Sequence, residues 1–90
     1  MVEVRFTRHL RRFFPDLRPV KVASGTVSEI VVAVDAAFPG LAAYVVTEAG
    51  SLRKHVNIFV DGEMIADRKS LGDSVPDGSE VFIMQALSGG

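Results

Sequence analysis

The sequence predicts an α+β domain, a mixed sheet of four to five strands with one main helix packed on one face, followed by a flexible C-terminal tail. Three observations predict it. Several short stretches alternate apolar and polar residues with period two, one stretch has the spacing and caps of an amphipathic helix, and two Asp-Gly pairs stand where tight turns belong. The chain has 90 residues, enough for one domain around one core, and its 48% apolar and 23% charged residues are a globular composition.

Each element follows from its residues. In Val2 to Phe6, V-E-V-R-F, the apolar side chains fall on one face and Glu3 and Arg5 on the other, which is a half-buried strand. Thr7 to Arg18 is a polar, basic connection in which Pro15 breaks any helix and Leu10, Phe13 and Phe14 pin the loop down. Alternation resumes at Val20 and Val22, giving a second strand antiparallel to the first. Thr26 then reads as a helix N-cap, Glu29 as its reciprocal capping-box partner, and Pro39-Gly40 as the stop. The stripe Val27, Ile30, Val31, Val34 and Phe38 faces a sheet, and its β-branched residues mean that burial rather than propensity holds the helix.

Leu41 to Arg53 reads as a short helical turn and a loop at Gly50. His55 to Val60 is rich in β-branched and aromatic residues and predicts a strand. Asp61-Gly62 folds the stretch E-M-I-A-D, Glu63 to Asp67, back beside it as a short strand. Asp77-Gly78 turns the chain into the last strand, S-E-V-F-I-M-Q-A-L. By parity Val81 and Ile83 face the helix with Val56, Ile58 and Val60, while Phe59, Phe82 and Met84 point the other way.

Composition excludes several classes of function. With no cysteine there is no disulfide, thiolate metal site or cysteine nucleophile. Ten Lys and Arg against eleven Asp and Glu leave a net charge of -1, so nothing global favours nucleic acid or an anionic membrane. His9 and His55 lack ligand-like spacing, no carboxylates pair for acid/base work, and no phosphate-binding glycine motif is present, so no metal and no bound cofactor are expected. The amino terminus alternates rather than forming an apolar signal, and no apolar run spans a bilayer, so a cytoplasmic location is expected.

The chain ends Leu87-Ser88-Gly89-Gly90. Glycines pack nothing and are costly to order, so a terminal pair asks for a purpose. Extended, these four residues reach about 13 Å at about 3.3 Å per residue, and a narrow channel can close on a backbone without Cβ atoms.

The order ββαββ, the helix opening T-V-S-E and closing F-P-G-L, the segments HVNIFVDGE and VPDGSEV, and the terminal Gly-Gly together resemble the MoaD/ThiS family of ubiquitin-like sulfur carriers over nearly the whole chain. The long Thr7 to Arg18 and Val46 to Lys54 segments look most like its longer, CysO-like branch. The resemblance implies a β-grasp domain over residues 1–87 and a flexible tail over 88–90. It further implies that an E1-like enzyme, using ATP that it binds itself, adenylates Gly90, and that a sulfur donor converts the acyl adenylate into a thiocarboxylate. A biosynthetic acceptor enzyme, in molybdopterin, thiamin, cysteine or tRNA thiolation chemistry, then takes the sulfur. Gly90 and Gly89 would be the reactive end and Ser88 and Leu87 its stem, with the protein a cosubstrate rather than an enzyme. As the sequence ends at Gly90, no processing step is expected to expose that residue.

Alternatives stay open. A ubiquitin-like modifier joined through Gly90 to lysines begins with the same adenylate, and a β-grasp binding module with an inert tail needs none. An exposed patch of Phe59, Phe82 and Met84 would dock a partner, unless Leu10, Phe13 and Phe14 of the long loop cover it. Arg53, with Lys54 and His55, would contact acidic groups of a partner or remain solvated. Arg8, Arg11 and Arg12 beside Phe13 and Phe14 are better explained by solvent or an acidic partner than by nucleic acid.

Overall fold

The period-two segments and the capped helix assemble as expected in the computed structural model, which describes residues 1–85. Strand β1 (Val2–Phe6) leads through a 3₁₀ turn at Arg8–Arg12 to β2 (Val20–Val22) and the short β3 (Gly25–Thr26). Helix α1 (Val27–Ala37) and the single-turn α2 (Ala42–Val45) follow, then β4 (Val56–Val60), β5 (Glu63–Met64), β6 (Ser74–Val75) and β7 (Glu80–Gln85).

Five strands form one sheet in the order β2-β1-β7-β4-β5. The central β1–β7 pair is parallel and the others are antiparallel, so the sheet is mixed. This is the β-grasp arrangement. Its helix-facing side chains form one cluster in which Val2, Val4 and Ile58 are fully buried and Val81 and Ile83 are 1% exposed. From α1, Val27, Ile30, Val31 and Val34 enter the same cluster, joined by Phe38 just past its end.

Local chemistry sets the helix ends. The Thr26 hydroxyl accepts from the Glu29 amide at 3.2 Å, and Glu29 Oε1 accepts from the Thr26 amide at 2.9 Å, closing the capping box. Gly25 leaves room for this cap, because a Cβ there would stand 2.5 Å from Glu29 Oε1 and push the carboxylate aside. Past the helix, Asp35 Oδ1 accepts from the amides of Gly40 and Ala42, which fixes the turn into α2. Asp61 and Gly62 both have positive φ, 50° and 85°, as a two-residue hairpin between β4 and β5 demands.

Two features depart from the order read in the sequence. Strands β3 and β6 pair antiparallel as a separate two-stranded sheet. Each is too short to show a period, so they are invisible to alternation. The long loop also sinks more deeply than expected. Leu10 is 1% exposed and Leu17 4%, whereas Phe13, expected to pin the loop, is 53% exposed.

The segment between β5 and β6 is held by its own carboxylates. Asp73 accepts from the amides of Ala66 and Asp67, and Asp67 accepts from Lys69, Ser70 and Gly72. Those backbone donors, Ser70 first and Gly72 next, hold the Asp67 carboxyl below its ordinary value. No helix among the described residues is long and apolar enough to cross a membrane.

Candidate functional site

The residues expected to carry the chemistry, Leu87, Ser88, Gly89 and Gly90, lie outside the described residues. What the structure does describe is the strand that bears them. β7 runs through the middle of the sheet, flanked by β1 and β4, so its direction is set by hydrogen bonding on both edges. Near its end, the Thr7 amide donates to the Ile83 carbonyl at 3.1 Å and the Gln85 amide donates to Thr7 Oγ1 at 3.0 Å. Gln85 also faces Val56 across the β4 edge. The chain is therefore held firmly as far as Gln85, where β7 ends. The Gln85 side-chain oxygen is buried there with no hydrogen-bond donor among the described residues.

Register assembles the predicted apolar patch. Phe82 lies directly opposite Phe59 on β4, Arg5 on β1 and Phe82 are register partners, and Phe59 in turn faces Met64 on β5. One row across the outer face thus reads Arg5, Phe82, Phe59, Met64. Phe82 is 40% and Met64 54% exposed. Phe59 is half-buried because it sits between those two side chains, and Met84, opposite Asn57, is half-buried as well, so the patch is less open at these positions than alternation alone suggests. Met64 is missing from the patch that alternation predicts, although the two-residue Asp61-Gly62 hairpin dictates that Phe59 and Met64 be partners.

The long loop does not roof this face. Phe13 and Phe14 pack on Tyr44 with ring centroids 5.0 and 5.2 Å away, and Arg18 lies over the Phe38 ring at 5.4 Å, all on the helix side. Leu10 is in the core.

Arg53 belongs to a different neighbourhood from the aromatic row. Its Nε donates to the Ala43 carbonyl at 2.8 Å and its backbone amide to Val45, tying the start of β4 to α2. Arg68, which nothing in the sequence singled out, completes that tie. Its guanidinium donates to Asn57 Oδ1 at 2.9 Å and to the carbonyls of Arg53 and Val56 at 3.0 Å each. Contacts so distant in sequence leave no local pattern.

Charge is divided between the two ends of the sheet. Around the start of β7 stand Asp61, Asp77 and Glu80; Asp61 Oδ1 accepts from the Glu80 amide at 2.9 Å. Asp77 is held below its ordinary value by a hydrogen bond from the N-terminal ammonium and by that group's charge. Around the end of β7 the residues flanking β1 and β4 are basic. No group of three or more His, Asp or Glu among the described residues is placed to hold a metal ion.

Comparison with known proteins agrees with this architecture. The family model described as the ThiS family matches residues 4–90. A chain in the crystal structure of the Amycolatopsis orientalis BexX/CysO complex is 28% identical, with a TM-score of 0.85 and complete coverage of both chains. SAMP1 from Haloferax volcanii is 27% identical with a TM-score of 0.77, over 99% of this chain and 98% of that one. CysO of Mycobacterium tuberculosis, described as an antigen, has a TM-score of 0.82 over 97% of this chain and 100% of its own; at 24% identity it speaks to the fold alone. No curated protein matches the sequence closely enough to count as a relative.

Proposed function

Because the chain belongs to the ThiS family, we propose that it is a sulfur carrier whose Gly90 carboxylate is activated and thiolated by partner enzymes. The observation that carries this reading is the family match itself, which runs from β1 to Gly90 and so includes the terminal diglycine.

The chemistry required of Gly90 is simple. A carboxylate is a poor acyl donor at neutral pH. In the activating enzyme its oxygen attacks the α-phosphorus of ATP and pyrophosphate leaves, which gives an acyl adenylate. A hydrosulfide-level sulfur nucleophile then adds to the acyl carbon. The carbon–sulfur bond forms, the carbon–oxygen bond to AMP breaks, and a thiocarboxylate remains. The acceptor enzyme consumes it. Every reacting group apart from the terminus belongs to a partner, so this chain acts as a cosubstrate, presenting a terminus on a fixed strand.

The fold supports presentation in two ways. Pinning β7 on both edges means that a partner which docks on the sheet also knows where the tail begins. The row of Phe82, Phe59 and Met64 supplies an apolar surface for that docking on the face away from the helix. The BexX/CysO complex, in which a similar chain assembles with a second protein, is consistent with use of such a surface.

The test is ATP–pyrophosphate exchange catalysed by the E1-like enzyme of the same organism, with the intact chain and with Gly90 deleted. Exchange is expected with the intact chain and lost with the deletion, while the amide spectrum of the domain is unchanged. Exchange that survives the deletion would remove Gly90 from the mechanism. The likeness to SAMP1, a small archaeal modifier protein, favours a second reading, a modifier joined to lysines through the same adenylate. Isopeptide-linked adducts in extracts, dependent on Gly90, distinguish it. If the chain functions fully without Gly89 and Gly90, a binding module is the correct description.

A further inference from the structure

A pocket of about 230 Å³ opens at the end of β1, and four of its walls are arginines: Arg5, Arg8, Arg11 and Arg18. This concentration is local. Between Arg5 and Arg18 the chain carries five of its ten Lys and Arg residues and a single acid, Asp16, although its net charge is -1.

The four guanidiniums are not equally committed. Arg5 pairs with Glu3 at 3.1 Å and Glu80 at 3.3 Å, and Arg18 donates to the Asp16 carbonyl at 3.1 Å. Arg8 and Arg11 make neither an ion pair nor a side-chain hydrogen bond among the described residues. Two forked cations therefore stand over a concave, partly apolar floor of Phe6, Leu17 and Pro19 with no anion among the described residues to receive them.

Position gives the pocket its meaning. Thr7 is part of its wall, and Thr7 Oγ1 is the acceptor for the amide of Gln85, the last residue of β7. Any enzyme that takes the tail must come up against this end of the sheet. The same end carries Arg53, Lys54 and His55 ahead of Val56, since Val56 and Gln85 are register partners, while Asp61, Asp77 and Glu80 lie at the far end of the same strands. Along β4 and β7, then, basic residues flank the end where β7 finishes and acidic ones the end where it starts.

We propose that the arginine-lined pocket is the receptor for an acidic, carboxylate-bearing segment of the enzyme that takes the tail, and that it orients the carrier before the terminus enters. The proposal rests on the carrier reading. Single-stranded nucleic acid fits less well, because Phe13 and Phe14, the aromatic rings of this loop, are packed on Tyr44 and not arrayed for bases, and the far end of the molecule repels a polyanion. Paired charges at a rim act mainly on encounter and on register, so loss of the pocket raises KM and flattens its salt dependence without touching kcat.

The test has two arms. In the first, the ¹⁵N-labelled protein is titrated with a deca-glutamate peptide and, separately, with a deoxythymidine decanucleotide. The peptide is expected to shift the amides of Thr7 to Arg12 and Arg18 saturably, and Arg8→Glu/Arg11→Glu, or the neutral Arg8→Ala/Arg11→Ala, abolishes those shifts. Shifts elsewhere, tighter binding of the oligonucleotide at the same residues, or shifts that grow with protein concentration alone and so mark a second copy as occupant, would overturn the proposal. In the second arm, KM of the E1-like enzyme for the carrier is measured against salt. Arg8→Glu/Arg11→Glu raises it at least about tenfold at low salt, and Lys21→Glu/Lys69→Glu, with the same change in net charge, raises it far less. Equal effects of the two double variants refute a specific receptor. Absence of exchange with the unaltered chain, beside a peptide that still maps to the pocket, condemns the carrier reading and leaves the acidic-ligand site standing.

Discussion

On β7, Val81 and Ile83 are each 1% exposed beneath the helix, whereas Phe82 between them is 40% exposed on the opposite face. Neighbouring residues of one strand thus have different work. The inner set is packed with Ile58, Val4 and Ile30 in a single cluster and holds the domain together. The outer set lies in the row with Phe59 and Met64, where nothing among the described residues covers it fully. The contrast teaches that large apolar residues in this sheet divide by parity into those that stabilise the fold and those free to serve a partner.

Substitutions can break the comparison. Ile58→Ala, at a fully buried position facing Ile83, removes packing that cannot be rebuilt and is expected to cost about 2–5 kcal/mol in denaturant unfolding. Phe82→Ala should change stability by less than about 1 kcal/mol, the scale of a cross-strand pair. It should instead raise the activating enzyme's KM for the carrier by about tenfold, the loss of a docking anchor. If Phe82→Ala destabilised the domain as much as Ile58→Ala does, the division of the two faces would be wrong.

Smaller effects sharpen the same picture from outside the sheet. Thr26→Ala removes the acceptor for the Glu29 amide and should cost about 1 kcal/mol. Gly25→Ala should weaken the same cap without replacing either capping residue, since its Cβ displaces Glu29 Oε1; urea unfolding of both single variants and the double variant should show that they are not additive. Asp67 gives the smallest and most specific effect. Its folded-state carboxyl is held below the ordinary 3.8, so its contribution is present above that pH and is lost as pH falls through the lower folded value. Asp67→Asn should therefore flatten the acid limb of the stability profile below about pH 4. An unchanged acid limb would show that the Asp67 turn does not stabilise the folded state.

Much of this was legible in the residues because the signals are local. V-E-V-R-F and H-V-N-I-F-V display the period of a strand, Thr26 and Glu29 stand at capping-box spacing, and Asp61-Gly62 names its own turn. The sidedness of Phe59 and Phe82 followed from counting by twos. What escaped depends on contacts remote in sequence. Leu17 is buried because the loop joins the core cluster, Arg68 finds its acceptors on Asn57, Arg53 and Val56, and β3 meets β6 across the whole middle of the chain. Met64 lies between these cases, since hairpin register and the parity of Phe59 together place it on the outer face. The arginines at positions 8, 11 and 18 were visible as a basic loop, but their convergence with Arg5 on one pocket required the fold.

The central claim is that the ordered sheet exists to present Gly90 for acyl activation and sulfur loading. Intact-mass analysis after incubation with ATP, the E1-like enzyme and a sulfide source tests it most directly. The account predicts a gain equal to exchange of one oxygen for sulfur, localised by fragmentation to Gly90 and absent when ATP is withheld. An unchanged mass beside an enzyme shown to be active on another carrier would contradict it.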